Sequence, residues 1–224
     1  MGMELYQKFQ VVQFVVILAT CLVGLRLLKE GKSPEKTYIL PFCLIDLVVT
    51  GVTVYTYYYY KFHFNLTILV VVFSWVEIFL ISYYIKDVTG ENKEIFIPLS
   101  LCIISPIISK ILLEDYHLLP MVTSCIYITF YTFKYIKWIF HKESNISLKE
   151  TRHYWIVLGI MLCYTTSIPY WISDLFLQRS FADMYHHLSR AFFIYFVCLN
   201  VIMHLFFIKA FLWKVQLVKS FSGQ

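Results

Sequence analysis

Three ionisable residues lie within long apolar segments of this 224-residue chain: Asp46, Glu77 and His204. An ionisable side chain inside a membrane-spanning helix costs about 2.5–3.5 kcal/mol on insertion scales, so its presence indicates a partner or a function. Each of the three lies 8 residues from the predicted cytoplasmic end of its segment, which is about 12 Å along a helix. The sequence therefore predicts that these side chains converge in one layer of a helical bundle.

Other polar residues extend this layer. Asn200 lies one helical turn from His204 on the same face, and Tyr164 and Thr165 stand beside Pro169 in another apolar segment. Polar faces of spanning helices point into the bundle, away from lipid. The predicted ligand or proton site consists of Asp46, Glu77, Asn200, His204, Tyr164 and Thr165.

The layer has more than one interpretation. A hydrogen-bonded cluster would fix helix packing, each interhelical bond contributing about 0.6 kcal/mol. Alternatively, the layer is a ligand site, a proton site or a switch, since histidine titrates near neutral pH. Two carboxylates and a histidine are also a metal-binding set, although no local ligand motif supports a metal. We predict that Glu77 matters more than Asp46, because a central helix should give Glu77 more partners, whereas Phe42 or Thr50 on its own helix is able to satisfy Asp46.

The elements that position these residues follow from composition. Hydrophobic residues make up 59% of the chain and charged residues 15%, against about 25% charged in soluble domains. A spanning helix needs about 20 apolar residues. We therefore predict an all-α fold, a single seven-helix transmembrane domain over residues 1–224 whose first partner is the lipid bilayer. The predicted spans are 9–29, 38–59, 65–85, 95–113, 118–140, 153–177 and 188–212.

Proline placement is consistent with these spans. Pro41 and two further prolines fall in the predicted first turn of a helix, where a missing N–H costs nothing. Only Pro106 and Pro169 lie in mid-helix. Each removes a hydrogen bond to the carbonyl one turn earlier, and in lipid that group needs another partner. We predict kinks at both prolines, packed against neighbouring helices.

The basic residues predict the orientation. Fourteen of the 19 lysines and arginines fall on one side of the predicted spans and five on the other. Short loops rich in lysine and arginine stay in the cytoplasm. This asymmetry requires an odd number of spans and places the amino terminus outside and the carboxyl terminus in the cytoplasm. The net charge of +5 indicates attraction to anionic lipid rather than to nucleic acid.

A weaker candidate site lies on the predicted outer side. Asp183 precedes His187 by four residues, next to His186, which places both on one face if the segment is helical. Zinc binding or pH sensing is one interpretation, and solvated loop histidines are the other. Because the six cysteines form no CxxC pair, a redox or metal motif is not indicated. We predict no cofactor and assign no metal.

Two segments carry a resemblance to known proteins. The residues in the sixth and seventh spans are Trp155, Gly159, Tyr164, Ile168, Pro169, Leu199, Asn200, Met203, Phe211, Leu212 and Trp213. With these and Glu77, the chain resembles a group of small uncharacterised bacterial seven-span inner-membrane proteins, which are similar to the membrane sensor modules of some histidine kinases. His204 stands where that group has tyrosine, and Asp46 where glutamate is commoner. The resemblance implies the inner membrane as the location, and it implies no activity.

Three functions fit these features. The first is a sensory or regulatory module that acts through a membrane or cytoplasmic signalling partner, as short loops and the absence of catalytic motifs indicate. The second is a small proton-coupled transporter, although the sequence lacks the internal repeat that carriers often show. The third is an intramembrane lipid-modifying enzyme, in which the layer would supply acid–base chemistry. We favour the first.

The charge asymmetry makes the topology testable. A reporter that is active only in the cytoplasm should work when fused after Gln224 and fail when fused before Met1, because the basic loops retain the carboxyl-terminal side in the cytoplasm. The measurement is reporter activity in intact cells, with immunoblots confirming equal amounts of both fusions. Activity of the amino-terminal fusion would contradict the seven-span arrangement.

Overall fold

The computed structural model describes residues 2–29, 32–60, 67–90, 96–113, 118–142, 152–180 and 182–221. Within these ranges the chain is helical and contains no strand. The seven α-helices are α1 (Gly2–Gly24), α2 (Leu40–Tyr60), α3 (Thr67–Thr89), α4 (Phe96–Leu113), α5 (Leu118–Lys142), α6 (Arg152–Ser180) and α7 (Ala182–Phe221). A 3₁₀ helix, Leu25–Lys29, extends α1, and a π-helical turn, Glu35–Ile39, precedes α2. The prediction of an all-α fold with seven helices is thus confirmed.

Four helical segments are long and apolar enough to cross a membrane. They are Gln7–Lys29, Glu35–Thr56, Arg152–Ser173 and Ala191–Trp213, identified by length and composition within the described residues. Each lies in a segment where the sequence predicts a span. Among the residues that the structure describes, the chain is therefore a helical protein with four helices that are compatible with a membrane.

The helices form a ring of six with one helix outside it. Around the ring, α1 packs against α2, α2 against α3, α3 against α5, α5 against α6, α6 against α7, and α7 against α1. The contact between α6 and α7 is the most extensive. Helix α4 packs mainly on the outer side of α5 and more weakly on α3. The ring encloses the interior in which the predicted site residues lie.

Helix α4 has two distinct faces that fit this outer position. Its isoleucines, among them Ile107 and Ile111, are exposed, whereas Ser105, Pro106 and Ser109 are buried. The Ser109 hydroxyl accepts a hydrogen bond from the backbone N–H of Leu119 at 3.3 Å, one of the N–H groups that the first turn of α5 leaves without an intrahelical acceptor. Small polar residues therefore hold α4 against α5, and the isoleucines face outward. Pro106 lies inside the helix as predicted.

The approach to α2 differs from the prediction. The Ser33 hydroxyl accepts from the backbone N–H of Lys36 at 3.4 Å, which starts a helical turn before the predicted beginning at residue 38. The Leu40 N–H then bonds the Glu35 carbonyl, five residues back, in the wider π turn. Pro41 is the second residue of α2 and so lies in the first turn of that α-helix, as predicted. The π turn adjoins the position where Pro41 has no N–H to donate.

Close approach of α6 and α7 depends on Gly159. A Cβ atom built at this position would lie 2.9 Å from the Phe206 Cβ and 3.2 Å from the Met203 carbonyl oxygen. Both atoms belong to or adjoin the α7 backbone, so neither is able to move without moving the helix. Small residues at such crossings let membrane helices pack closely, and Gly159 does so at the largest interface in the ring.

Replacing Gly159 with alanine should therefore destabilise the protein by about 1–3 kcal/mol, the usual cost of overpacking. The measurement is the thermal unfolding midpoint in detergent. Gly51→Ala is the matched control, because its new Cβ would meet only the flexible Phe14 ring, at 3.2 Å, and would gain about 1 kcal/mol of helix propensity. Equal midpoints for the two variants would contradict the assigned contact.

Candidate functional site

Asp46 on α2 and His204 on α7 form a buried pair. The His204 Nε2 lies 2.8 Å from the Asp46 Oδ2, and His204 is fully buried. The Thr50 hydroxyl, one turn along α2, donates to the Asp46 Oδ1 at 3.2 Å. Phe42 stacks against the His204 ring, with centroids 6.5 Å apart. Equal depth on two helices predicted this convergence, and the structure brings these two residues together.

Glu77 on α3 instead pairs with Tyr164 on α6. The Tyr164 hydroxyl donates to the Glu77 Oε1 at 2.8 Å, and both residues are buried. This is the one side-chain hydrogen bond of Glu77 within the described residues, whereas Asp46 has two partners. The prediction that Glu77 has more partners is therefore wrong. The Ser74 hydroxyl, one turn away on α3, donates to the Met121 sulfur at 3.4 Å.

A cavity of about 230 Å³ lies inside the ring of six helices. Four of the six predicted site residues line it: Asp46, Glu77, Tyr164 and Asn200. Its walls are mostly apolar. The aromatic residues lining it, apart from Tyr164, are Phe73, Tyr170, Trp171, Phe193 and Phe196. The cavity thus combines two buried carboxyl groups with aromatic walls and is larger than the apolar cavity of about 150 Å³ that holds a benzene molecule.

Two amide side chains at the cavity have unsatisfied oxygens. Gln10 on α1 and Asn200 on α7 line the cavity, and the Gln10 Oε1 and Asn200 Oδ1 are buried with no hydrogen-bond partner among the residues that the structure describes. Sequence reasoning identified Asn200 but missed Gln10 and the neighbouring lining residue Gln13. The signal in the sequence was a pair of amides, Gln10 and Gln13, three residues apart at the start of an apolar segment. Polar residues are common at the ends of spanning helices, so this pair did not stand out.

The remaining predicted site residues lie beside the cavity. His204 reaches it only through Asp46, and the Thr165 hydroxyl pairs with that of Thr129 on α5 at 3.3 Å. Pro169 lies inside α6, and the Tyr195 hydroxyl of α7 donates to the Thr166 carbonyl at 3.3 Å. Pro169 leaves the Thr165 carbonyl without its usual donor. The neighbouring helix α7 thus bonds the carbonyl of the next residue, Thr166. The kink angles at Pro106 and Pro169 stay predictions.

A second ionic cluster lies outside the predicted site, at the start of α6 and at the turn that precedes α2. Glu35, before α2, is 3% exposed. Its Oε1 lies 2.9 Å from the His153 Nδ1, and its Oε2 lies 3.8 Å from the Arg152 Nη1. The Tyr84 hydroxyl of α3 also lies 2.9 Å from the His153 Nδ1. Glu35, Arg152 and His153 stand at segment ends in the sequence, where charged residues are common, so nothing in the sequence predicted that they contact one another.

The weak outer candidates receive no structural test. Asp183, His186 and His187 belong to the first turns of α7, and their side chains lie outside the described residues. Among the side chains that are described, no group of three or more histidine, cysteine, aspartate or glutamate residues is arranged to hold a metal ion. The cysteines Cys21, Cys43, Cys125, Cys163 and Cys198 are free thiols.

No protein-family model, curated protein or solved structure matches this chain. The resemblance to small bacterial seven-span proteins stays a prediction that these comparisons do not test.

The two carboxyl groups should differ in their contribution to stability. Asp46→Asn weakens a charge-assisted bond between α2 and α7 and should cost on the order of 1–2 kcal/mol. Glu77→Gln retains an acceptor for Tyr164 and should cost less than about 1 kcal/mol. The measurement is the free energy of unfolding in detergent. Asp87→Asn is the control, because Asp87 is exposed on α3. A larger loss for Glu77→Gln than for Asp46→Asn would contradict the assigned partners.

Proposed function

We propose that this chain is a multi-pass plasma-membrane protein with seven spans, its amino terminus outside and its carboxyl terminus in the cytoplasm, that acts as a sensory or regulatory module. A small molecule binds in the cavity of the helical ring, and a membrane or cytoplasmic partner receives the signal. The cavity carries this proposal. It is bounded by six helices, so an occupant would contact most of the bundle at once.

The position of the cavity suits a ligand that arrives from outside. In the proposed orientation, Gln10 lies near the outer boundary, and Asp46 and Glu77 lie about 12 Å from the cytoplasmic edge. The cavity therefore extends from the outer part of the bundle to the ionisable layer. Ligand pockets are commonly apolar cavities in which a few polar groups fix the orientation of the ligand, and this cavity has that composition.

Three helices connect the cavity to the second ionic cluster. Each of these helices carries one residue at the cavity and one in the cluster. Asp46 lies 11 residues after Glu35, and Tyr164 lies 11 residues after His153. On α3, Glu77 lies 7 residues before Tyr84. These separations correspond to about 10–17 Å along a helix. A shift of α2, α3 or α6 at the cavity would therefore alter the contacts of Glu35 and His153, near the proposed cytoplasmic boundary. Discrete contact rearrangements of this kind are how packed helices transmit signals.

The alternative functions rest on fewer features. A proton-coupled transporter would use the same buried carboxyl groups, and a lipid-modifying enzyme would use them for acid–base chemistry. Neither accounts for the ionic cluster that shares three helices with the cavity. A transporter also predicts a flux across the membrane, which a sensor does not.

The proposal is testable by filling the cavity. Val54→Trp places a large side chain in the cavity, because Val54 lines it. If the effect of filling the cavity is transmitted to the cytoplasmic side, backbone hydrogen exchange over residues 33–40 should slow by about threefold or more. Local opening of that segment depends on the packing of Glu35. The measurement is hydrogen–deuterium exchange of the protein in lipid nanodiscs, with α4 as an internal reference outside the ring.

Val52→Trp is the matched control, because it makes the same substitution two residues away on an exposed face of α2. Its exchange over residues 33–40 should equal that of the wild type. Identical exchange in both variants would contradict transmission from the cavity. Proton influx into proteoliposomes, above that of protein-free vesicles and abolished by Glu77→Gln, would favour the transporter instead.

A further inference from the structure

Glu77 presents a carboxyl group to the cavity without a cationic partner. In the part of the chain that the structure describes, Glu77 forms no ion pair, and its carboxyl group accepts a hydrogen bond from the Tyr164 hydroxyl. Among the described residues, the other two buried carboxyl groups have nitrogen partners: Asp46 contacts His204, and Glu35 contacts His153 and Arg152. A buried carboxylate is stable as an ion only when a cation or several donors compensate it. At Glu77, a ligand has room to supply that cation.

Five hydroxyl groups around the cavity have their protons committed to acceptors within the protein. Ser124 donates to the Pro120 carbonyl at 2.7 Å, and Ser167 donates to the Cys163 carbonyl at 2.6 Å. Thr53 donates to the Val49 carbonyl at 2.8 Å. Thr50 and Tyr164 donate to the carboxyl groups of Asp46 and Glu77. To a ligand these five groups therefore offer lone pairs rather than protons.

The amide oxygens of Gln10 and Asn200 are two further acceptors at the cavity. Both side chains are more than nine-tenths buried, both line the cavity, and the oxygen of each has no hydrogen-bond partner within the described ranges. An unpaired amide turns about its last bond to direct either its oxygen or its nitrogen at an incoming group. A ligand that brings N–H donors would satisfy two buried oxygens that the folded chain leaves unsatisfied.

The aromatic walls favour the same class of ligand. A cation over the face of a tryptophan, tyrosine or phenylalanine ring is attracted by the ring, and more strongly where water is excluded. Trp171 and Phe196 pack against each other at the cavity, with centroids 5.6 Å apart. The rings also offer apolar area to the uncharged part of a ligand. The volume of about 230 Å³ fits one aromatic ring with a short side chain.

We propose that the cavity binds a small amphipathic amine in its ammonium form. The ammonium group pairs with Glu77 and donates to Asn200, and the apolar body lies against the aromatic walls. This inference rests on the proposed function, because it specifies the ligand of the same cavity.

The test uses 2-phenylethylammonium as the probe and neutral 2-phenylethanol, of nearly the same shape, as its control. The protein is held in nanodiscs of zwitterionic lipid, so that the cation does not collect on anionic headgroups. Binding is measured by calorimetry. The amine should bind the wild type at least tenfold more tightly than the alcohol, because only the amine supplies the cation that Glu77 lacks.

Two substitutions of acidic residues locate the site. Glu77→Gln should weaken amine binding at least tenfold and leave the alcohol unchanged. Asp87→Asn, which alters an exposed carboxyl group on the same helix outside the cavity, should leave amine binding at the wild-type level. Thermal midpoints establish that both variants are folded, and Glu77→Asp, which retains the charge, should restore part of the affinity if Glu77→Gln is unstable.

The outcomes separate this inference from the proposed function. Equal binding of amine and alcohol, both lost in Val54→Trp, would overturn the cationic class and leave the cavity as a ligand site. Amine binding that is undetectable in the wild type, or unchanged by Glu77→Gln, would also overturn it. A failure of Val54→Trp to alter exchange over residues 33–40 would count against signalling, whatever the amine does.

Discussion

A polar group inside a lipid-embedded helical bundle has no water to bond, so it must find its partner within the protein. The contact between Asp46 and His204 is the plainest consequence of this constraint, because it joins α2 to α7 through two fully buried side chains. Helix α1 lies between them in the ring, and its Thr20 hydroxyl donates to its own helix at Val16 and approaches the His204 carbonyl at 3.5 Å. The orientation of three helices thus depends on one pair.

The smaller polar residues meet the same constraint locally. Thr53, Thr56, Ser124 and Ser167 all donate to the carbonyl four residues earlier in their own helices. Bonds of this kind satisfy a hydroxyl without needing a second helix. These four hydroxyl groups therefore leave the bonds between helices to other side chains, among them Asp46 and Glu77, and the space between these two residues stays open. A cavity with polar groups at one end and aromatic walls follows from that division.

Sequence reasoning located the layer because charged residues stand out in apolar segments, and it predicted the helices because their apolar lengths fit a membrane. It could not choose partners. Residue number fixes the depth of Glu77 along its helix, but the rotation of α3 about its axis, set by packing on α2 and α5, decides that Tyr164 is its neighbour. Helix ends were predicted wrongly where a helix extends beyond its apolar segment: α7 begins at Ala182 rather than at residue 188. Glu35 escaped notice for the related reason that charge near a segment end is ordinary.

The contrast between the two buried glutamates bears on whether the layer serves packing or ligand binding. Glu35 has nitrogen partners on the chain, as a carboxyl group retained for packing requires. Glu77 has a tyrosine hydroxyl and an adjoining cavity. A glutamine at position 77 would accept the same hydrogen bond from Tyr164 at a lower desolvation cost, so packing alone gives no reason for an acid there. A ligand of opposite charge in the cavity would explain why position 77 is an acid. Residues that lower the stability of the folded chain in this way are characteristic of functional sites.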